Sequence, residues 1–252
     1  MIGRWIFIRD GRLNRRTWAA IALATLAALL AMLPLRLVLG LAGNGRTLSA
    51  QAVEGVAWDG LVGEMQIGPL SMGLMEVDLM PLPLLVGQAK FAIERPDSMN
   101  RAPFRARVSS TLGTTGIENA TGELALAGMF APLPVRALTM QDFSASIADG
   151  QCVAASGTLG LAVPAMGAFM PAETVLAGEA RCENGALVVP MTGPSGNERV
   201  DLSIKPDGSW RAVMSVAGLP PEMAEPLEGM GFVARPNGAG QTTMGLTASG
   251  TL

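Results

Sequence analysis

Few residues in this chain are suited to chemistry. The stretch "PEMAEPLEG" sets Glu222, Glu225 and Glu228 at i, i+3 and i+6. On a helix that spacing drifts along one face, where three carboxylates could hold a metal or trade protons. Pro226 interrupts such a helix. Nothing basic or apolar around the three acids is set to perturb them, so they read as a solvated face. Asp78, Asp142 and Asp201 read as ordinary outward positions on strands. The chain has no His and no Tyr. That removes an imidazole base, Ser–His and Cys–His pairs, and His metal ligands. Its two cysteines, Cys152 and Cys182, are too few for a four-thiolate zinc site and lack Cys-x-x-Cys spacing. There is no Gly-rich phosphate loop and no helix-borne metal motif. The expectation is a protein with no catalytic residue, metal or cofactor, and with no nucleic-acid partner.

The elements that would position any site are strands. The 252 residues are 49% hydrophobic and only 15% charged, with 31 Gly and 17 Pro. Low charge and high Gly suit many short strands and turns better than a helical bundle. In "RVDLSIKPDGSWRAVMSV", Val200, Leu202 and Ile204 alternate with polar residues, "PDGS" supplies turn chemistry, and Trp210, Ala212, Met214 and Val216 alternate on the way back. This is a hairpin with one buried face. Similar patterning predicts strands at 60–68, 70–79, 87–94, 104–112, 116–127, 139–148, 152–163, 175–182 and 186–190, and at the closing "TTMGLTASGTL". The fold class is therefore mainly β: a large, mostly antiparallel curved sheet, either an open groove or sandwich-like. Two short helices are expected, at Pro81–Gly87 and Pro220–Gly231. The proline-rich Ala131–Pro134 and the loop Pro164–Pro171 are candidate boundaries.

The N-terminal region differs. "TWAAIALATLAALLAMLPL", Thr17 to Leu35, carries no charge. At 1.5 Å per residue it would span about 28 Å, close to a hydrocarbon core of roughly 30 Å. Arg4, Arg9, Arg12, Arg15 and Arg16 precede it against one acid, Asp10. The positive-inside rule places that arm in the cytoplasm and sends the rest across the membrane. Beyond Arg36, 12 basic and 20 acidic residues leave a net charge near −8. A cleaved signal peptide ending near Ala42 is the competing reading. The long basic region, the long apolar run and the intervening Arg36 favour an uncleaved anchor. The expected organisation is a basic arm (1–16), a transmembrane anchor (17–36), a linker (37–48) and a periplasmic β domain (49–252). The protein would sit in a bacterial inner membrane as a single-pass protein. In an oxidising compartment, two Cys and no third make a Cys152–Cys182 disulfide the simplest reading.

The stretch "VEGVAWDGLVGEMQIGPLSMG", followed by "LMPLPLLVGQAKFAI", resembles the type II secretion system protein N family. The resemblance rests on Gly55, Trp58 and Gly60 in a Gly-x-x-Trp-x-Gly element, and on Pro81, Leu82, Leu84, Leu85 and Gly87 in the turn that follows. The paired cysteines in "CVAASGTLGL" and "GEARCENGALVV", and the closing block from Gly218, are similar to the family as well. The resemblance implies an accessory of the secretion machinery that supports export of folded proteins across the outer membrane. Its partners would be other secretion components and the inner membrane, and it would have no assigned catalytic residue. Gly55, Gly60, Gly63 and Gly68 are expected to allow bulges and tight turns, and Trp58 to pack as core. The alternative function is lipid binding in a β-groove. The apolar "GELALAGMFAPLPVRALTM" and 16 Met could line an adaptable face for acyl chains.

Overall fold

The computed structural model describes residues 15–42, 48–68, 70–95, 102–126, 128–165, 172–219, 224–229, 231–236 and 242–251. Two helices come first, α1 (Arg15–Ala31) and α2 (Leu35–Ala42). Strands β1 (Leu48–Ser49), β2 (Ala52–Val56), β3 (Asp59–Ile67) and β4 (Leu70–Leu79) follow, then the one-turn helix α3 (Pro81–Leu84). Next come β5 (Ala89–Arg95), β6 (Phe104–Thr111), β7 (Thr114–Ala125), β8 (Ala137–Ala148), β9 (Gln151–Val163), β10 (Thr174–Glu179), β11 (Arg181–Glu183) and β12 (Ala186–Thr192). The chain closes with β13 (Glu198–Ile204), β14 (Ser209–Leu219), α4 (Ala224–Gly229), β15 (Val233–Pro236) and β16 (Thr242–Thr251). All the strands belong to one open antiparallel sheet, whose order follows the chain almost throughout.

Alternation explains the ladders. In the β13–β14 hairpin, Val200 faces Met214 and Leu202 faces Ala212, and all four are buried. The turn between them uses Gly208 at φ +84°, and the Ser209 amide donates to Asp207 Oδ1 at 2.8 Å. The buried residues of β3 through β16 form one continuous cluster. A single flat sheet could not bury them, and α3 contributes no buried residue. The sheet therefore curves over itself. Phe130, between β7 and β8, meets Trp210 of β14 edge-on with ring centroids 4.8 Å apart, although several strands separate them in the sheet. The buried cluster lies on the inner face of this bend, and the fold is the large, mostly antiparallel sheet expected.

The stretch "MFAPLPV" takes part in that filling. Phe130, Leu133 and Val135 are buried, together with Leu126 just before it. The Ala131–Pro134 segment is thus neither a linker nor an exposed apolar face, because burying four large side chains outweighs their solvation. Leu227 and Phe232 seal the same core from the α4–β15 side.

A crease lets the sheet bend. Asn119 in β7 and Asp142 in β8 take positive φ where the register slips, and Gly157 in β9 lies against Asp142. A Cβ on Gly157 would sit 2.4 Å from the Asp142 carbonyl oxygen, so only glycine fits there. Bulges side by side in neighbouring strands add twist and curvature. Asp142 is therefore a bulge residue, not an ordinary strand position. The bulge in β3 likewise falls on Glu64, while Gly63 pairs regularly with Ala52. Beside this region Arg95 is buried. Its Nε donates to Ala102 O at 2.8 Å, its Nη1 to Met72 O at 3.2 Å and its Nη2 to Glu123 O, which ties strand ends together through charge-assisted bonds.

The apolar run 17–35 is not one continuous helix. Helix α1 ends at Ala31, Pro34 bridges to Val56, and α2 begins at Leu35. Proline disfavours helical backbone at the residue before it, so Pro34 stops the helix instead of riding in its last turn. Among the described residues no helix is long and apolar enough to cross a membrane. The stretch read as the start of the linker holds most of α2, whose Leu35 is fully buried and whose Leu39 packs on the core.

Candidate functional site

The family-like residues converge on the joint between the helices and the sheet. Between β2 and β3 the chain reverses at Ala57 and Trp58. The Ala57 amide donates to Leu33 O at 2.8 Å, and Trp58 Nε1 donates to Leu30 O at 3.0 Å. The second bond adds a side-chain donor to a carbonyl at the end of α1 that also accepts from the Leu33 amide at 3.2 Å. Trp58 is half-buried, so it is not plain core; it clasps the end of a helix. Gly55 takes φ +88°, and a Cβ there would lie 2.4 Å from Asp59 O. Gly60 is flat against Leu35: a Cβ would meet Leu35 Cδ2 at 2.3 Å. The Gly-x-x-Trp-x-Gly element is thus a socket with Gly for the turn, Trp for the α1 carbonyl, and Gly for the buried Leu35.

The second motif adjoins the first. The Leu79 amide donates to Ala57 O at 2.7 Å, which sets the start of the Pro81–Gly87 turn beside Trp58. Pro81 opens α3, where its missing N–H costs nothing. Gly87 closes the turn at φ +76°. Leu82, Leu84 and Leu85 all point to solvent, with Val86 beside them. Below the turn, Lys90 Nζ lies 2.6 Å from Glu118 Oε2. That hydrogen bond holds the Glu118 carboxyl below its usual range, against a smaller opposing effect of burial.

Cys152 and Cys182 are joined in a disulfide, with Cα atoms 5.5 Å apart. The bond sits at a split in the sheet. The β9–β10 ladder runs from Val163 to Thr158, and the Ala180 amide adds one last bond in the same register, to Gly157 O at 3.0 Å. Beyond that point β11 pairs with β12, and the disulfide and the Cys152 amide, which donates to Gly185 O at 2.9 Å, hold it to β9.

Among the acids, Glu222 and the side chain of Glu225 lie outside the described residues, and Glu228 is exposed. Asp201 pairs with Arg199 at 2.9 Å on the surface. Glu228 and Asp201 make no contact with the joint among the described residues. Leu35 was the residue missed there. It reads as the tail of an apolar run, and only the bare Gly60 opposite could have signalled its contact.

The chain is thus a large open antiparallel sheet with a helix clasped at one rim. The model of the family described as Type II secretion system (T2SS), protein N, matches residues 46–244, and the chain belongs to this family. It is a component of the type II secretion system, and its partners are other components of that system. The match begins after α2. No curated protein and no solved structure matches the chain.

Proposed function

We propose that the protein is an inner-membrane-anchored, periplasmic accessory of the type II secretion machinery. It supports export of folded proteins across the outer membrane by holding its sheet as a scaffold, with no catalytic step. Its N-terminus lies in the cytoplasm, and everything from α2 onward lies in the periplasm.

The observation that carries this reading is α1. Trp18, Ile21, Leu23, Leu26, Leu29 and Leu30 are all exposed and are distributed around the helix. A helix apolar on every side has no stable place in water. Five Arg precede its apolar stretch, the last two in its own first turn, and it ends in hydrogen bonds at the rim of the sheet. The uncharged stretch from Thr17 to Leu35, with the turn at Met32–Pro34, would make the crossing. The Cys152–Cys182 bond fits an oxidising compartment.

The test is a pair of fusions after Leu252, one reporter active only in the periplasm and one only in the cytoplasm, with carbonate extraction of the membranes. The periplasmic reporter is expected to be active and the protein to stay with the pellet. A cytoplasmic signal, or release by carbonate, overturns the topology. Proximity crosslinking in cells then identifies the machinery partner.

A further inference from the structure

One rim of the sheet carries the turns between β2 and β3, β4 and β5, β6 and β7, β8 and β9, β11 and β12, and β13 and β14. They are not alike. The two turns next to the helix joint, the long one between β4 and β5 and the two-residue one at Leu112–Gly113, end in apolar side chains: Leu82, Leu85 and Val86 are 76, 83 and 74% exposed, and Leu112 is fully exposed. The three turns farther round the rim end in Asp149–Gly150, Asn184–Gly185 and Pro206–Asp207–Gly208. Register shows that the contrast is not one of height. Ala89 pairs with Ser110, so Leu112 stands level with the α3 turn. Thr114 pairs with Ala148, and the Asp149 amide donates to Gly113 O, so Leu112 and Asp149 are side by side. Polar residues are the ordinary choice for a hairpin tip, and the two tips by the helix break that rule.

We propose that Leu82, Leu85, Val86 and Leu112 dip into the surface of the lipid bilayer that holds α1, so that the sheet stands on the membrane on these tips. The proposal rests on the anchored reading of α1. Continuity of the apolar surface argues for lipid as the occupant. The exposed Leu30 in the last turn of α1 and Met32 just after it lie at Trp58, and Ala57 links this point to Leu79 and the α3 turn. A bilayer touching the end of α1 therefore meets the neighbouring tips first and the polar tips last. With two contacts beside the helix, the sheet would keep one tilt on the membrane instead of swinging about the Met32–Pro34 turn.

The test uses the full chain in proteoliposomes of zwitterionic and anionic phospholipid. An environment-sensitive fluorophore is placed at Leu85→Cys, Leu112→Cys, Asp149→Cys or Asp207→Cys in turn, and nitroxide-labelled lipid is the quencher. Labels at 85 and 112 are expected to be quenched severalfold more than labels at 149 and 207. Equal quenching at all four in chains that float with the vesicles overturns the tip contact and leaves the anchor standing. Chains that do not float overturn both. Labels at 85 and 112 shielded from an aqueous quencher, with no lipid quenching and in proportion to protein density, would show that a second copy covers the tips, and would also overturn the proposal. The four tip side chains are exposed, so replacing all of them with Ser should leave the melting temperature within a few degrees of wild type. The same replacement should reduce quenching at a label on Gln88→Cys to that of the Asp149 label.

Discussion

The indole of Trp58 donates a hydrogen bond to the carbonyl of Leu30, 3.0 Å away, across the break between α1 and the sheet. Together with the Ala57–Leu33 bond it fixes the direction in which α1 leaves the domain. Trp58→Phe keeps a ring and removes the donor. It is expected to cost about 1 kcal/mol, the usual worth of one hydrogen bond. Because the loss is confined to the joint, amide exchange should accelerate at Ala57 and Leu79 and stay unchanged in β13 and β14. Uniform acceleration across the sheet would show instead that Trp58 is ordinary core.

Gly60 and Leu35 form the second part of the joint. Gly60→Ala forces a methyl into the space of Leu35 Cδ2, and overpacking of this kind costs about 1–3 kcal/mol. Leu35→Ala opens that space and by itself removes a fully buried side chain. The double variant should be more stable than the sum of the two losses. Chemical denaturation of all four proteins measures this coupling, and simple additivity would disprove the contact.

Cys152→Ser opens a loop of 30 residues that the disulfide closes. The loop-entropy model gives a loss of about 3–4 kcal/mol. The double Cys variant should be no less stable than the single one, since either change opens the same loop. Two thiols free to alkylation in unreduced, unfolded protein would rule the bond out.

The hairpins were legible in the sequence because period-two alternation and turn residues act locally. The pattern from Val200 to Val216 names its own buried face, and the cysteines could be paired by simple counting. The joint was harder to read because it is made by residues far apart in the chain. Nothing near Gly60 announces Leu35, and the apolar run conceals that Pro34 ends one helix while α2 docks on the sheet. β10 and β11 read as one strand, since alternation continues through Ala180 while the pairing changes partner from β9 to β12 just beyond it. β1, β2 and β15 are too short, or too rich in Gly and Pro, for periodicity to register. The crease is invisible locally because Asp142 becomes a bulge only opposite Gly157.

The Lys90–Glu118 pair makes stability depend on pH. Its folded-state carboxyl titrates below the ordinary value near 4.5. The contribution is therefore complete above about pH 4.5 and is lost as pH falls from there through the lowered folded value. The pair is partly exposed, so screening limits it to about 1 kcal/mol or less. Glu118→Gln should lower stability at pH 7 by that small amount and have no effect at the acid end of the titration. A difference that grows on acidification would contradict the sign.

A scaffold without catalytic chemistry makes a sharper prediction for the acids. Glu228 is exposed, Asp78 is half-buried on β4, and Asp142 is an exposed bulge residue. Surface carboxylates of this kind change stability by about 0.5 kcal/mol or less. Asp142 needs a different substitution from the others. Its φ of +49° strains any ordinary side chain, so alanine would disturb the crease and confuse the result. Asparagine keeps the left-handed preference while removing the charge. Glu222→Ala, Glu225→Ala, Glu228→Ala, Asp78→Ala and Asp142→Asn should each leave secretion of a reporter substrate within about twofold of wild type, since surface changes of this kind alter little else. Removing 15–34, in contrast, should abolish secretion by freeing the sheet from its anchor. If one acidic substitution stops secretion while protein level, disulfide and membrane association are intact, that carboxylate does chemistry and the scaffold reading fails.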